Sequence, residues 1–112
     1  MWVLLSDCFF SIVSKDCARD ELLVRARRKG DIEKLFPKAK VKRNAKADYL
    51  YRAAIKKSAI AEALKGEVDR VTYPNFKSSV TDAKLHGAYM RVWSALGPLQ
   101  ENWDEWPMFK EF

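Results

Sequence analysis

Apolar and polar residues alternate along several short stretches of the chain. In residues 22–28, LLVRARR, Leu22, Val24 and Ala26 fall on one side and Leu23, Arg25 and Arg27 on the other. A period of two predicts a strand over about 21–28. Residues 2–14 are rich in Val, Leu, Ile and Phe, with Ser6-Asp7 interrupting them, which predicts one bent strand or two short ones. The polar turn at 15–20 then returns the chain antiparallel as a hairpin. A third strand is expected over Asp48 to Ile55, with Tyr49, Tyr51, Ala53 and Ile55 opposite Leu50, Arg52 and Ala54. Between these strands Gly30-Asp31 opens a short helix, capped by Gly30 or Asp31, with Glu33 in its first turn and Pro37 ending it. Residues 38–47, KAKVKRNAKA, read as a basic loop or an edge strand.

The helical period takes over in the second half. Ser58 is the expected N-cap of a helix over about 59–70, whose stripe runs through Ile60, Ala63 and Leu64 toward Val68 or Val71. Tyr73-Pro74-Asn75-Phe76 is a connector, read either as a recognition loop or as a plug that anchors the last helix. That helix begins near Thr81 or Asp82, carries Leu85, Ala88, Tyr89, Val92, Trp93 and Leu96 at i, i+3, i+4 spacing, and stops at Gly97-Pro98. The order predicts an α+β fold: an antiparallel sheet of three to four strands with helices packed on one face. A rearranged ferredoxin-like sandwich plus a C-terminal helix is one topology of this kind. Residues 1–100 are expected to form a single domain, and residues 101–112 an acidic aromatic tail.

Composition and charge narrow the chemistry. A length of 112 residues suits one core, and 48% hydrophobic residues exclude wholesale disorder. The net charge of +6 is unevenly placed: residues 19–57 carry 14 Lys/Arg against 5 Asp/Glu, and the remainder is net acidic. One region of the chain is therefore suited to an anionic partner. Two cysteines, Cys8 and Cys17, and a single His86 are too few for a disulfide framework or a metal site. Free thiols are the expected state, with a cross-hairpin bridge as the alternative. His86 has no partner indicated by spacing, and no phosphate loop, nucleophile elbow or metal-binding helix motif is present. The expectation is a protein that is not an enzyme and uses no cofactor or metal. The apolar N-terminus, MWVLLSDCFFSIV, lacks a basic start and a cleavage site, and no stretch approaches a membrane span, so a cytoplasmic location without membrane contact is expected.

Two surfaces are candidates for function. On one strand face Arg25 and Arg27 lie roughly 6.6 Å apart at the usual rise. With Arg28, Lys29, Lys40, Lys42, Arg43 and Arg52 they form the expected nucleic-acid or anion-binding set, while Lys38 and Lys46 add to the loop charge. Tyr49, Tyr51 and Phe10 are stacking candidates if their face is open. The competing reading is a bare solvated strand face. The Gly30-Asp31 helix start is a self-capped turn more readily than an anion site, because the Asp31 carboxylate would fill it. The second surface is the tail, ENWDEWPMFKEF. Here Trp103, Trp106, Phe109 and Phe112 recur every third residue among Glu101, Asp104, Glu105 and Glu111. So many aromatics either fold back over the sheet or dock a partner or a second copy, which leaves the oligomeric state open.

The ordered strings Phe9-Phe10-Ser11-Ile12-Val13, Val24-Arg25-Ala26-Arg27, Asp48-Tyr49-Leu50-Tyr51-Arg52, Tyr73-Pro74-Asn75-Phe76-Lys77 and Val92-Trp93 resemble a family of small, uncharacterised bacterial proteins of about this length. The resemblance covers about residues 1–96 and implies no activity. Ser6-Asp7-Cys8 stands where that family has a glycine turn, and the acidic tail lies outside its pattern. The leading expectation is a non-enzymatic protein that engages a nucleic acid or nucleoprotein complex. By analogy of size and charge alone, a phage or mobile-element inhibitor of host defence, of the anti-CRISPR kind, fits this description. The alternative is a protein–protein adaptor or self-associating module acting through the aromatic tail.

Overall fold

Ser6-Asp7 breaks the apolar N-terminal run into two strands, β1 (Trp2–Leu4) and β2 (Phe9–Val13), joined by a turn in which the Leu5 amide donates to the Cys8 carbonyl at 2.9 Å. The computed structural model describes residues 1–105. After β2 come β3 (Glu21–Ala26), α1 (Asp31–Leu35), β4 (Lys42–Arg43), β5 (Tyr51–Lys56), α2 (Lys57–Asp69), α3 (Phe76–Ser79) and α4 (Ala83–Leu96). Two 3₁₀ turns, Gly97–Leu99 and Trp103–Glu105, follow. The strands form one open antiparallel sheet in the order β1-β2-β3-β5-β4. The fold is α+β, with five strands rather than three or four because the two edges are short. Every pairing is antiparallel, so the split βαβ units of a ferredoxin-like sandwich are not adopted.

One face of the sheet builds the main core. Phe10 and Ile12 of β2, Val24 and Ala26 of β3 and Ala53 of β5 are buried against Ile32 of α1, Phe36 and Ile60 of α2. The alternation of β3 puts Leu22, Val24 and Ala26 toward these helices. The chain passes from β5 directly into α2, with Lys56 at the cap position and no side-chain cap. Ser58 therefore sits inside the first turn instead of capping it. Ile60 is buried, while Val68 near the end of α2 and Val71 just beyond it are exposed. Gly30 holds the residue before α1 at φ 92°, a left-handed conformation that glycine adopts without strain.

Helices do not stay on one face. Leu4 and Phe9 point to the other side of the sheet and pack against Val80, Leu85 and Tyr89, so α4 covers the β1–β2 end of that second face. Asp82 caps α4, its carboxylate accepting from the Leu85 amide at 2.9 Å. Asn75 caps α3 in the same way, accepting from the Lys77 amide. The Phe76 ring stacks on Tyr89 at 5.6 Å, which makes the Tyr73–Phe76 connector a plug under α4. The Tyr89 hydroxyl donates toward the carbonyls of Leu5 and Cys8 at 2.8 and 3.0 Å, tying α4 to the β1–β2 turn. Burial pushes the phenol's ionisation well above the ordinary tyrosine range, so the donor is retained. Tyr89→Phe should cost about 1–2 kcal/mol by removing the hydroxyl that ties α4 to the β1–β2 turn, although the Cys8 carbonyl keeps the Leu5 amide as a donor, measured as a lower urea midpoint at unchanged slope. Both thiols are free: Cys8 is buried, and Cys17 donates weakly to the Glu21 carbonyl.

Candidate functional site

Register turns the second face into a single transverse row. Trp2 lies opposite Ser11, Ser11 opposite Arg25, Arg25 opposite Arg52 and Arg52 opposite Lys42. The row crosses all five strands, about 19 Å at the usual strand spacing, with an aromatic at one edge and three cations toward the other. Like charges placed directly opposite in a sheet disfavour the pairing. No carboxylate relieves them: Arg25, Arg27, Arg52 and Lys42 form no ion pair among the described residues. Arg25 donates to the Ser11 hydroxyl at 2.7 Å and Arg52 to the Tyr49 carbonyl at a long 3.5 Å, while the Nε atoms of both are enclosed with no hydrogen-bond partner among the described residues. An enclosed, unsatisfied donor carries a desolvation cost, so the arrangement is not one that stability alone would favour.

Tyr49 lies beneath these cations. The guanidinium carbons of Arg25 and Arg27 sit 4.6 and 4.5 Å from its ring centroid. Tyr49 precedes β5, in a bent segment where its own amide donates to the Asp48 carboxylate at 2.9 Å. That irregular backbone breaks the count of two, so Tyr49 joins the arginine face while Tyr51, Ala53 and Ile55 join the core side. The expected stacking set is accordingly corrected. Phe10 and Tyr51 belong to the core side and Tyr49 is buried under arginines, whereas Trp2, 69% exposed, is the accessible ring.

The rest of the expected basic set is dispersed. Arg28 is engaged internally: its Nε reaches Asp31 at 3.3 Å, Nη1 reaches Asp82 at 3.1 Å, and Nη2 donates to the Asp7 carbonyl. These partners hold the Arg28 guanidinium more firmly protonated against the opposing effect of burial. Asp31 does not cap α1. Its buried carboxylate also accepts from the Phe9 amide and pairs with Lys34, linking the β3–α1 elbow to β2. Lys29 is exposed in that elbow. Arg43 faces Tyr51 in register, which places it on the opposite side of the sheet from Arg52. Lys40 lines a separate groove beside Leu35, Pro37 and Ala59.

Beside the row a cavity of about 380 Å³ opens between the sheet and α4. Trp2, Phe9, Tyr49 and Tyr89 supply aromatic walls, Leu85, Ala88 and Val92 line the α4 side, and Arg27 and Lys84 are cationic lining residues. Comparison with protein-family models, with curated proteins and with solved structures returns no match. The chemistry is therefore read from these residues alone. Among the described residues no group of His, Cys, Asp and Glu is placed to hold a metal ion, and no helix is long and apolar enough to cross a membrane.

Trp2 and Lys84 are the site residues that the sequence reading passed over. Trp2 stood in an apolar run with no polar alternation to mark it as surface. Lys84 joins only because α4 crosses to the second face. Of the tail aromatics, Trp103 folds back on the end of α4, half-buried, its ring 5.0 Å from Trp93 in an edge-on contact. Gly97 leaves the space that this ring occupies, since a Cβ there would clash with it. Trp106, Phe109 and Phe112 lie outside the described residues.

Proposed function

We propose that this protein is a non-enzymatic binder of single-stranded nucleic acid, alone or within a nucleoprotein complex, using the transverse row of its second sheet face. The observation that carries the reading is the run Arg25–Arg52–Lys42, without a carboxylate partner among the described residues, in one row with the exposed Trp2. By contrast Arg28 is matched to Asp31 and Asp82, Lys65 to Asp69 and Arg70 to Glu67, while the three cations of the row have no carboxylate partner among the described residues. Cations left unmatched along a line suit a polyanion, whose bound counterions are released on contact. A ring at the end of that line favours a strand with accessible base faces over a duplex.

The test is a titration of a fluorescent single-stranded oligomer across a salt series, with the matching duplex as control. Four contacts, from Arg25, Arg27, Arg52 and Lys42, give an expected slope of about −3 in log affinity against log salt, at roughly 0.7 for each contact. Absence of binding near roughly 50 mM salt, or an affinity independent of salt, would contradict the reading.

A further inference from the structure

We infer that the cavity between the sheet and α4 is a pocket for one unstacked nucleobase of the bound strand. The inference rests on the proposed function and deepens it, because the pocket and the cationic row share Trp2 and the same sheet face.

Size, lining and charge agree on this occupant. A volume of about 380 Å³ lies at the small end of the roughly 300–1,000 Å³ usual for ligand sites, which suits a single planar ring system. Aromatic side chains line it, and Trp2, 69% exposed, keeps ring surface accessible for stacking. Base faces stack on such rings whatever their sequence, so the pocket requires no base-specific partner. Arg27 and Lys84 line it without forming ion pairs among the described residues, and a base inside brings its own phosphates toward them. Arg28 and Asp31 also line the cavity, but they are occupied with each other. A purely apolar guest would leave Arg27 and Lys84 without a counter-charge, and a free phosphate would leave the aromatic walls unused.

The test compares a short single-stranded oligomer with the same oligomer built from abasic sugar-phosphate units, at one salt concentration. The base-bearing strand should bind at least about tenfold more tightly and change the fluorescence of Trp2. Ala88→Phe places a ring in the pocket from an exposed position of α4, and Val92→Phe is the second filling variant. Either should reduce the base-bearing strand to the abasic affinity while leaving the salt slope unchanged. Equal affinities of the two strands for the unsubstituted protein would overturn the pocket and leave the cationic row standing. A base preference that survives both filling variants would also overturn it. Failure of both strands to bind would overturn the proposed function as well.

Discussion

Replacing Arg27 and Lys42 together with glutamine is expected to weaken binding of single-stranded nucleic acid about 25-fold at 0.1 M salt, because each phosphate contact contributes roughly fivefold there relative to 1 M. The salt slope should fall by about 1.4 at the same time. These two residues isolate binding from folding. Lys42 stands exposed on the edge strand β4, and Arg27 is exposed just beyond the end of β3. Neither forms an ion pair among the described residues, and Arg27 donates one long hydrogen bond, 3.5 Å, to the Asp48 carbonyl. Lys42→Gln is a surface change worth less than about 0.5 kcal/mol, and losing the Arg27 contact over the Tyr49 ring costs about 0.5–1 kcal/mol, so the urea midpoint should fall only slightly. Fluorescence anisotropy across a salt series measures the first effect and urea denaturation the second.

Phe10→Ala is expected to cost about 3–5 kcal/mol, a large part of the roughly 5–15 kcal/mol that holds a domain of this size together. Phe10 is fully buried in β2, and its ring lies 6.1 Å from that of Phe36, the residue closing α1. The cavity left behind would open between the central strands and the short helix. A five-residue α1 is too short to persist without packing. Its loosening would reach the elbow in which Asp31 holds Arg28 and the Phe9 amide. The urea midpoint should drop sharply. A loss below about 1 kcal/mol would mean that the sheet and α1 repack, contrary to the tight core described above.

Much of the framework was legible because it is local. The period of two in Leu22–Arg27 and the i, i+3, i+4 stripe from Leu85 each follow from a few neighbouring residues, and β3 and α4 formed where they were expected. The arginine pair was legible for the same reason, since Leu23, Arg25 and Arg27 had to leave the core face together. Features that depend on register or distant contacts were not. Arg28 looks like part of the basic strip until Asp82, 54 residues away, reaches it. Tyr49 keeps the strand's alternation in sequence, yet the bend at 47–50 turns it under the arginines. The full row from Trp2 to Lys42 requires four strand pairings at once, and no single segment encodes it.

The central claim is that the row is kept for binding and works against folding. Arg52→Thr tests it most directly, because the variant removes a cation flanked by Arg25 and Lys42, along with an enclosed Nε that has no partner among the described residues, and substitutes a residue suited to strands. The account predicts a protein at least as stable as the original in urea, with affinity for single-stranded nucleic acid lowered about fivefold at 0.1 M salt and the salt slope reduced by about 0.7. Unchanged affinity together with a stability loss above about 1 kcal/mol would show that Arg52 serves the fold, and would contradict the account.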